Sequence, residues 1–203
     1  MIPKDEVQIL MPKIITWLTL LLIIVLSGSA CTAGTGGTAT IASSQNGVQE
    51  LKFKVPDGWI SEKPSSGMRV AQYKLPKVEG DSEDANLVLY FFGTGQGGSV
   101  SDNVDRWINQ MEQPDGRPSK DKAKIETITV NGLKVTTVDV SGTYTAQMSP
   151  GSEARHNESN QRLRAAVIET PKGNYYAKLI GPEKTVSRWD NSFADYVKSF
   201  EFK

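Results

Sequence analysis

The runs KIETITV (124–130) and LKVTTVDVSGTY (133–144), separated only by Asn131 and Gly132, constrain this chain more than any other segment. An Asn-Gly pair supplies the two positive φ angles of the tight turn whose twist matches that of paired strands, so the two runs are expected to form an antiparallel hairpin. In the second arm the apolar positions slip from Leu133 and Val135 to Val138 and Val140, and a bulge at Thr136–Thr137 is expected to absorb the change. A second hairpin joins RLRAAVIET (162–170) to NYYAKLI (174–180) across Pro171, Lys172 and Gly173.

Upstream, LKFKVPDGW (51–59) alternates Leu51, Phe53 and Val55 with lysines and reads as a half-buried strand ending at the Pro56-Asp57-Gly58 turn. RVAQYKL (69–75) repeats the alternation, and NLVLYFF (86–92) is apolar throughout, as suits a central strand covered on both faces. Helical spacing places Val104, Trp107, Ile108 and Met111 on one face, with Ser99 or Ser101 as N-cap and Pro114-Asp115-Gly116 as the stop. A second helix is expected after Gly181-Pro182, carrying Val186, Trp189, Phe193, Tyr196 and Val197. Phe200, Glu201 and Phe202 then provide a short edge strand to close the sheet. This order predicts an α+β fold, a largely antiparallel sheet with helices packed on it, in a single domain spanning residues 48–203.

Taken together, Phe53-x-Val55-Pro56-x-Gly58-Trp59, the strand pairs and the C-terminal helix with Trp189 and Phe193 before Phe200 resemble the α/β/α sandwich of PsbP proteins and of a nuclear Ran-binding import factor. GGSVSDNVDRWINQM followed by QPDG (97–116) is similar to exported proteins of unknown function in environmental bacteria. The resemblance implies a fold and no activity.

The first thirty residues read as an export signal. Ile14 to Leu26 carry no charge, follow Lys13 and lead into Ser27-Gly28-Ser29-Ala30, the layout of a secretory signal peptide. At thirteen residues the run is short for a membrane span, which needs about 20. Asp5 and Glu6 do not suit a positive n-region, so Met11 competes with Met1 as the start. Cys31, the only cysteine, stands at the end of this segment in a placement that resembles the bacterial lipobox, whose Cys is lipidated; Gly28 occupies the place where that motif usually carries Leu. Cleavage after Ala30 without lipid, giving a soluble secreted protein, is the alternative. Residues 31–47, rich in Gly, Ala, Ser and Thr and uncharged, make a flexible tether.

Composition narrows the chemistry. With 23 Lys and Arg against 23 Asp and Glu there is no field of one sign to favour nucleic acid. One Cys and one His preclude an intramolecular disulfide and the usual zinc sets. Gly93-Thr94-Gly95-Gln96-Gly97-Gly98 spells G-x-G-x-x-G between a strand and a helix, where N–H groups can hold an anion, so Gly95, Gly97, Gly98 and Ser99 form the candidate ligand loop. A dinucleotide fold would continue in parallel units, whereas the next strand here turns back at Asn131-Gly132.

Other motifs fail. Lys178 and Glu183 stand where a Walker A loop before Lys184-Thr185 needs glycines, and Gly97-Gly98-Ser99-Val100-Ser101 lacks the last Gly of a nucleophile elbow. His156 falls in a polar stretch that reads as a solvated hairpin loop. Glu79, Asp81, Glu83 and Asp84 do not have the spacing of a calcium loop, and Asp139 and Glu169 are strand carboxylates of undefined separation. Arg117, Lys120, Lys122 and Lys124 make a weak patch for anionic headgroups. The expectation is a non-catalytic accessory or interaction domain without a cofactor, exported and held at a membrane by a lipid on Cys31, with a protein partner there. The alternative is a small-molecule or anion binding module using the Gly93–Ser99 loop.

Overall fold

A computed structural model describes residues 50–203, which excludes the signal segment, Cys31 and the tether. In chain order the elements are β1 (Leu51–Lys52), β2 (Ile60–Glu62), β3 (Arg69–Leu75), β4 (Ala85–Phe91), α1 (Val100–Ile108), β5 (Met111–Glu112), β6 (Lys124–Val130), β7 (Leu133–Tyr144), β8 (Glu158–Thr170), β9 (Gly173–Pro182), α2 (Glu183–Arg188), α3 (Asp190–Lys198) and β10 (Glu201–Phe202). The main sheet runs β2-β3-β4-β9-β8-β7, with β5 and β6 sharing the far side of β7, and every pair in it is antiparallel. The α+β class is therefore as the alternation and hairpin signals require.

The hairpin that dominates the sequence forms with Val130 opposite Leu133 and with φ of 48° at Asn131 and 82° at Gly132. Its tip is tied down where Asn131 Nδ2 donates to the Phe200 carbonyl at 2.9 Å. The bulge expected at Thr136–Thr137 is absent: pairing runs unbroken from Lys124–Asp139 to Val130–Leu133. Side chains alternate faces along a strand, and the slip arises because the two ends of β7 are buried on opposite faces. Leu133 and Val135 join the cluster under α2 and α3, with Ile168, Ala177, Leu179, Phe193 and Tyr196. Val138 and Val140 join the cluster under α1, with Leu163, Val167, Trp107 and Tyr176. The sheet is thus the middle of three layers, with one core on each face. A full burial of each large aliphatic side chain contributes about 1.5–3 kcal/mol.

Coverage is unequal. On the α2/α3 side Ala85, Leu87 and Leu89 of β4 are fully enclosed, whereas on the α1 side Asn86 is exposed and Val88 and Tyr90 are half-buried. The expected burial of this strand on both faces holds on one only, since α1 is nine residues long.

Four other boundaries differ from expectation. The opening strand is cut to Leu51–Lys52, because its partner β10 is itself two residues and Lys54 N–H turns to the Ser199 hydroxyl at 2.9 Å. That pair is a sheet of its own, so Phe200–Phe202 does not close the main one; β2 forms its edge instead. Met111 belongs to β5 opposite Tyr144, so α1 stops at Ile108, ahead of the Pro114 turn. The C-terminal helix is two helices, broken at Trp189, whose indole donates to the Pro76 carbonyl at 3.0 Å.

That break explains the Pro-x-Gly-Trp corner. Gly58 sits at φ 84° against the Trp189 ring, and a Cβ there would meet it at 2.8 Å. The next residue, Trp59, enters the core and donates from Nε1 to Ser192 Oγ at 3.3 Å. The corner is a dock for the α2–α3 junction, so a motif at one end of the domain is read by side chains at the other.

Candidate functional site

The candidate loop precedes α1 on the chain, and its carbonyls are held from within the protein. Gly93, Gly95, Gly97 and Gly98 all have positive φ, which explains why glycine recurs there. Gly97 has no room for a side chain, since a Cβ would meet Phe92 and Tyr176 at 2.8 Å. Asn103 Nδ2 donates to the carbonyls of Gly97 and Ser99, both at 2.8 Å, and the Tyr176 hydroxyl donates to that of Gly98 at 2.9 Å. Ser99 is the helix cap, its Oγ accepting from Asp102 N–H at 3.0 Å. The glycines therefore let the chain bend tightly enough for Tyr176 and Asn103 to hold it.

At the opposite end of α1 lies a cleft of about 630 Å³. One wall is the helix end, with Arg106, Asn109 and Gln110; the other is the connection from β7 to β8, with Met148 and Arg155. That connection is ordered by backbone bonds: His156 N–H donates to the Ala146 carbonyl at 2.9 Å and Met148 N–H to that of Ala154 at 3.0 Å. Gln110 is held between the walls, its carbonyl accepting from Thr145 N–H at 2.8 Å.

Beneath Gln110 is Lys178, which climbs from the middle of β9 on the α1 side of the sheet. Its ammonium donates to Gln110 Oε1 at 2.6 Å and to the Tyr144 hydroxyl at 3.2 Å, and lies 5.0 Å from the centre of the Tyr144 ring. All of these partners are neutral. Burial first, and the nearby Arg106 guanidinium second, push the Lys178 amine down to about 8. Tyr144 is pushed up to about 12 by burial and then by Glu158 and Tyr90.

Most of the remaining sequence candidates are engaged elsewhere. His156 Nδ1 lies 2.8 Å from Glu158 Oε1, and its ring packs 5.0 Å from that of Tyr144, so the residue belongs to the ordered flank of the cleft. Asp81 accepts from both Thr185 N–H (2.9 Å) and Thr185 Oγ1 (2.6 Å) and so caps α2, which Pro182 leaves without a side-chain cap of its own. Asp139 and Glu169 fall on opposite faces of the sheet and cannot act on one substrate: Asp139 is bidentate with Arg162, and Glu169 pairs with Lys134 at 3.0 Å. Arg117, Lys120 and Lys124 pair with Asp115, Asp105 and Glu126. Trp59 and Trp107 are core residues and Trp189 is packed against the core. Among the described residues no group of three or more His, Cys, Asp or Glu is placed to hold a metal ion, and no helix is long and apolar enough to cross a membrane. Cys31 lies outside the described residues.

Arg106, Gln110, Arg155 and Lys178 were not legible as a group, because 72 residues separate Arg106 from Lys178. One signal was present: a lysine between Ala177 and Leu179 in a strand that otherwise reads as buried.

No family model matches this chain, and no curated protein matches it. Among solved structures it is similar to a protein of unknown function from Pseudomonas aeruginosa described as a putative regulator, with 17% identity and a TM-score of 0.41 over 75% of this chain and 96% of that one. It is also similar to LpqN of Mycobacterium tuberculosis, described as involved in cell envelope biogenesis, with 10% identity and a TM-score of 0.47 over 77% and 85% of the two chains. The cyanobacterial PsbP protein of Synechocystis shows 14% identity and a TM-score of 0.42 over 80% and 99%.

Proposed function

We propose that this protein is a non-catalytic accessory or interaction domain, exported and held at the outer face of a membrane by a lipid on Cys31. The observation that carries the interaction reading is where its apolar surface lies. The exposed large apolar side chains among the described residues are Ile60, Met68, Val70, Ile125, Ile128 and Met148. The first three lie on the β2–β3 hairpin, the next two on β6, and the last on the cleft wall. Those two hairpins are the edges of the main sheet, where strand backbones have unpaired hydrogen-bonding groups that a partner's strand can take. Apolar side chains gathered at open edges suit a protein that docks, and the uncharged tether gives such a domain reach from a lipid surface.

A photocrosslinking residue placed at Ile60 or Ile128 in cells tests the reading, with exposed Lys184 as the comparison position. A discrete adduct from an edge position and none from Lys184 is expected. Equal labelling from all three positions would refute docking at the edges. Separately, Cys31→Ala is expected to move the protein from the membrane fraction to the soluble one; unchanged retention would remove the lipid anchor.

A further inference from the structure

We propose that the cleft at the end of α1 binds a multivalent oxyanion carried on a small molecule, with Arg106 and Arg155 at its rim and Lys178 beneath as the enclosed counter-charge. This inference concerns a different surface from the sheet edges and stands or falls independently of docking there.

The argument begins with charge balance. In a chain whose 23 basic and 23 acidic residues cancel, ion pairs are spread over the surface, yet among the described residues neither Arg106, Arg155 nor Lys178 pairs with a carboxylate. Among the described residues, the only side-chain bond made by the Arg106 guanidinium is to the Asn103 amide oxygen. In the flank, the Glu158 carboxylate is engaged by His156. Enclosing an ammonium among neutral partners is unfavourable, and proteins ordinarily offset it with an opposite charge. Here Gln110 and Tyr144 orient the ammonium without neutralising it, and Gln110 itself lines the cleft together with the two arginines.

That arrangement fits an oxyanion of more than one charge. Guanidinium groups offer flat pairs of N–H donors that match carboxylate or phosphate oxygens, and an ammonium adds a point charge behind them. A bound dianion would complete the missing half of the ion pair and draw the Lys178 amine back toward its ordinary affinity for a proton. Phosphate and dicarboxylate groups share this chemistry.

The test is calorimetric titration of the purified full chain in low-salt buffer at pH 7 with three probes: inorganic phosphate, succinate and acetate. Saturable binding of phosphate or succinate is expected, at least tenfold tighter than acetate and weakened at least tenfold by Arg106→Gln, Arg155→Gln and Lys178→Met. Binding of phosphate alone assigns the site to phosphoryl groups, and binding of succinate alone assigns it to carboxylates. As a second measurement, the Lys178 amine followed by nitrogen-15 NMR is expected to titrate at higher pH when the probe is bound. Absence of saturable binding by both divalent probes, acetate binding equally well, or affinity unchanged in Arg106→Gln and Arg155→Gln overturns the proposal. The arginine variants are surface changes and keep the test valid should Lys178→Met alter folding.

Discussion

The two faces of the sheet treat charge differently. On the α2/α3 face, Arg162 makes a bidentate pair with Asp139 at 2.8 and 2.6 Å, reaches Asp190 at 3.3 Å and donates to Ser187 at 2.8 Å. Its neighbour Arg164 donates to the Asp190 carboxylate at 2.7 Å and lies over the Phe193 ring at 4.8 Å. Two cations meet two carboxylates there, and the network ties the start of α3 to β7 and β8. On the α1 face Lys134 and Glu169 pair at 3.0 Å, but around the cleft Arg106 and Lys178 have neutral partners only, and among the described residues Arg155 makes no side-chain bond. A closed network specifies how helices sit; an open one leaves a favourable interaction unmade, and that difference separates residues serving the fold from residues available to a ligand.

The comparison breaks most severely if the core beneath the closed network is emptied. Phe193→Ala removes a side chain buried among both helices and the sheet, and is expected to destabilise by about 3–5 kcal/mol, as read from denaturant unfolding. A loss below about 1 kcal/mol would mean that α3 is not anchored through this ring.

Lys178→Met is expected to act in the opposite direction. The folded chain holds the Lys178 proton with a pKa of about 8 against an ordinary value of 10.5. Between those values the unfolded chain binds more protons, so Lys178 makes stability rise with pH across that window, while below pH 8 its penalty is fully present. Replacement by Met is therefore expected to stabilise the ligand-free protein at pH 7, by at most about 3 kcal/mol, and to remove this lysine's share of the rise. A destabilised variant, or one retaining the full rise, would show that the ammonium is well compensated.

Asp139→Ala sharpens the contrast from the other side. It leaves Arg162 and Arg164 sharing Asp190 alone and is expected to cost about 2 kcal/mol, less than for a fully buried pair because the Asp139 side chain is 26% exposed. Unchanged unfolding would mean that the network only decorates the surface. The smallest effect belongs to the glycine loop: Ser99→Ala removes the α1 cap and is expected to cost about 1 kcal/mol. Should Ser99→Ala leave the melting temperature unchanged but abolish phosphate binding, the oxyanion site would have to be moved from the cleft to the loop.

Much of the fold was legible because its signals are local. Asn131-Gly132 sets a turn by its own backbone preferences, and the bounds of β3, β6 and β7 coincide with runs visible in the sequence. The misreadings share one physical cause. The slip along β7 looked like an inserted residue because a single strand carries no record of which helix covers which end of which face. The C-terminal helix looked continuous because Val186, Phe193 and Tyr196 keep helical spacing across Trp189, although its indole bonds Pro76 and packs on Gly58.

The candidate site divides in the same way. Its glycine loop was visible as a motif, but the reason for the glycines, room for Tyr176 and a path for Asn103, lies in contacts up to 79 residues distant, as at Gly97 and Tyr176. The sequence by itself determined strands β3, β6 and β7, the Asn131-Gly132 turn, a serine cap ahead of α1 and the class of fold, since these follow from interactions within a few residues. Only the tertiary structure decided that Asp139 is paired and Lys178 is not. Charge compensation depends on which side chains meet across the sheet, and that is a property of three-dimensional distance.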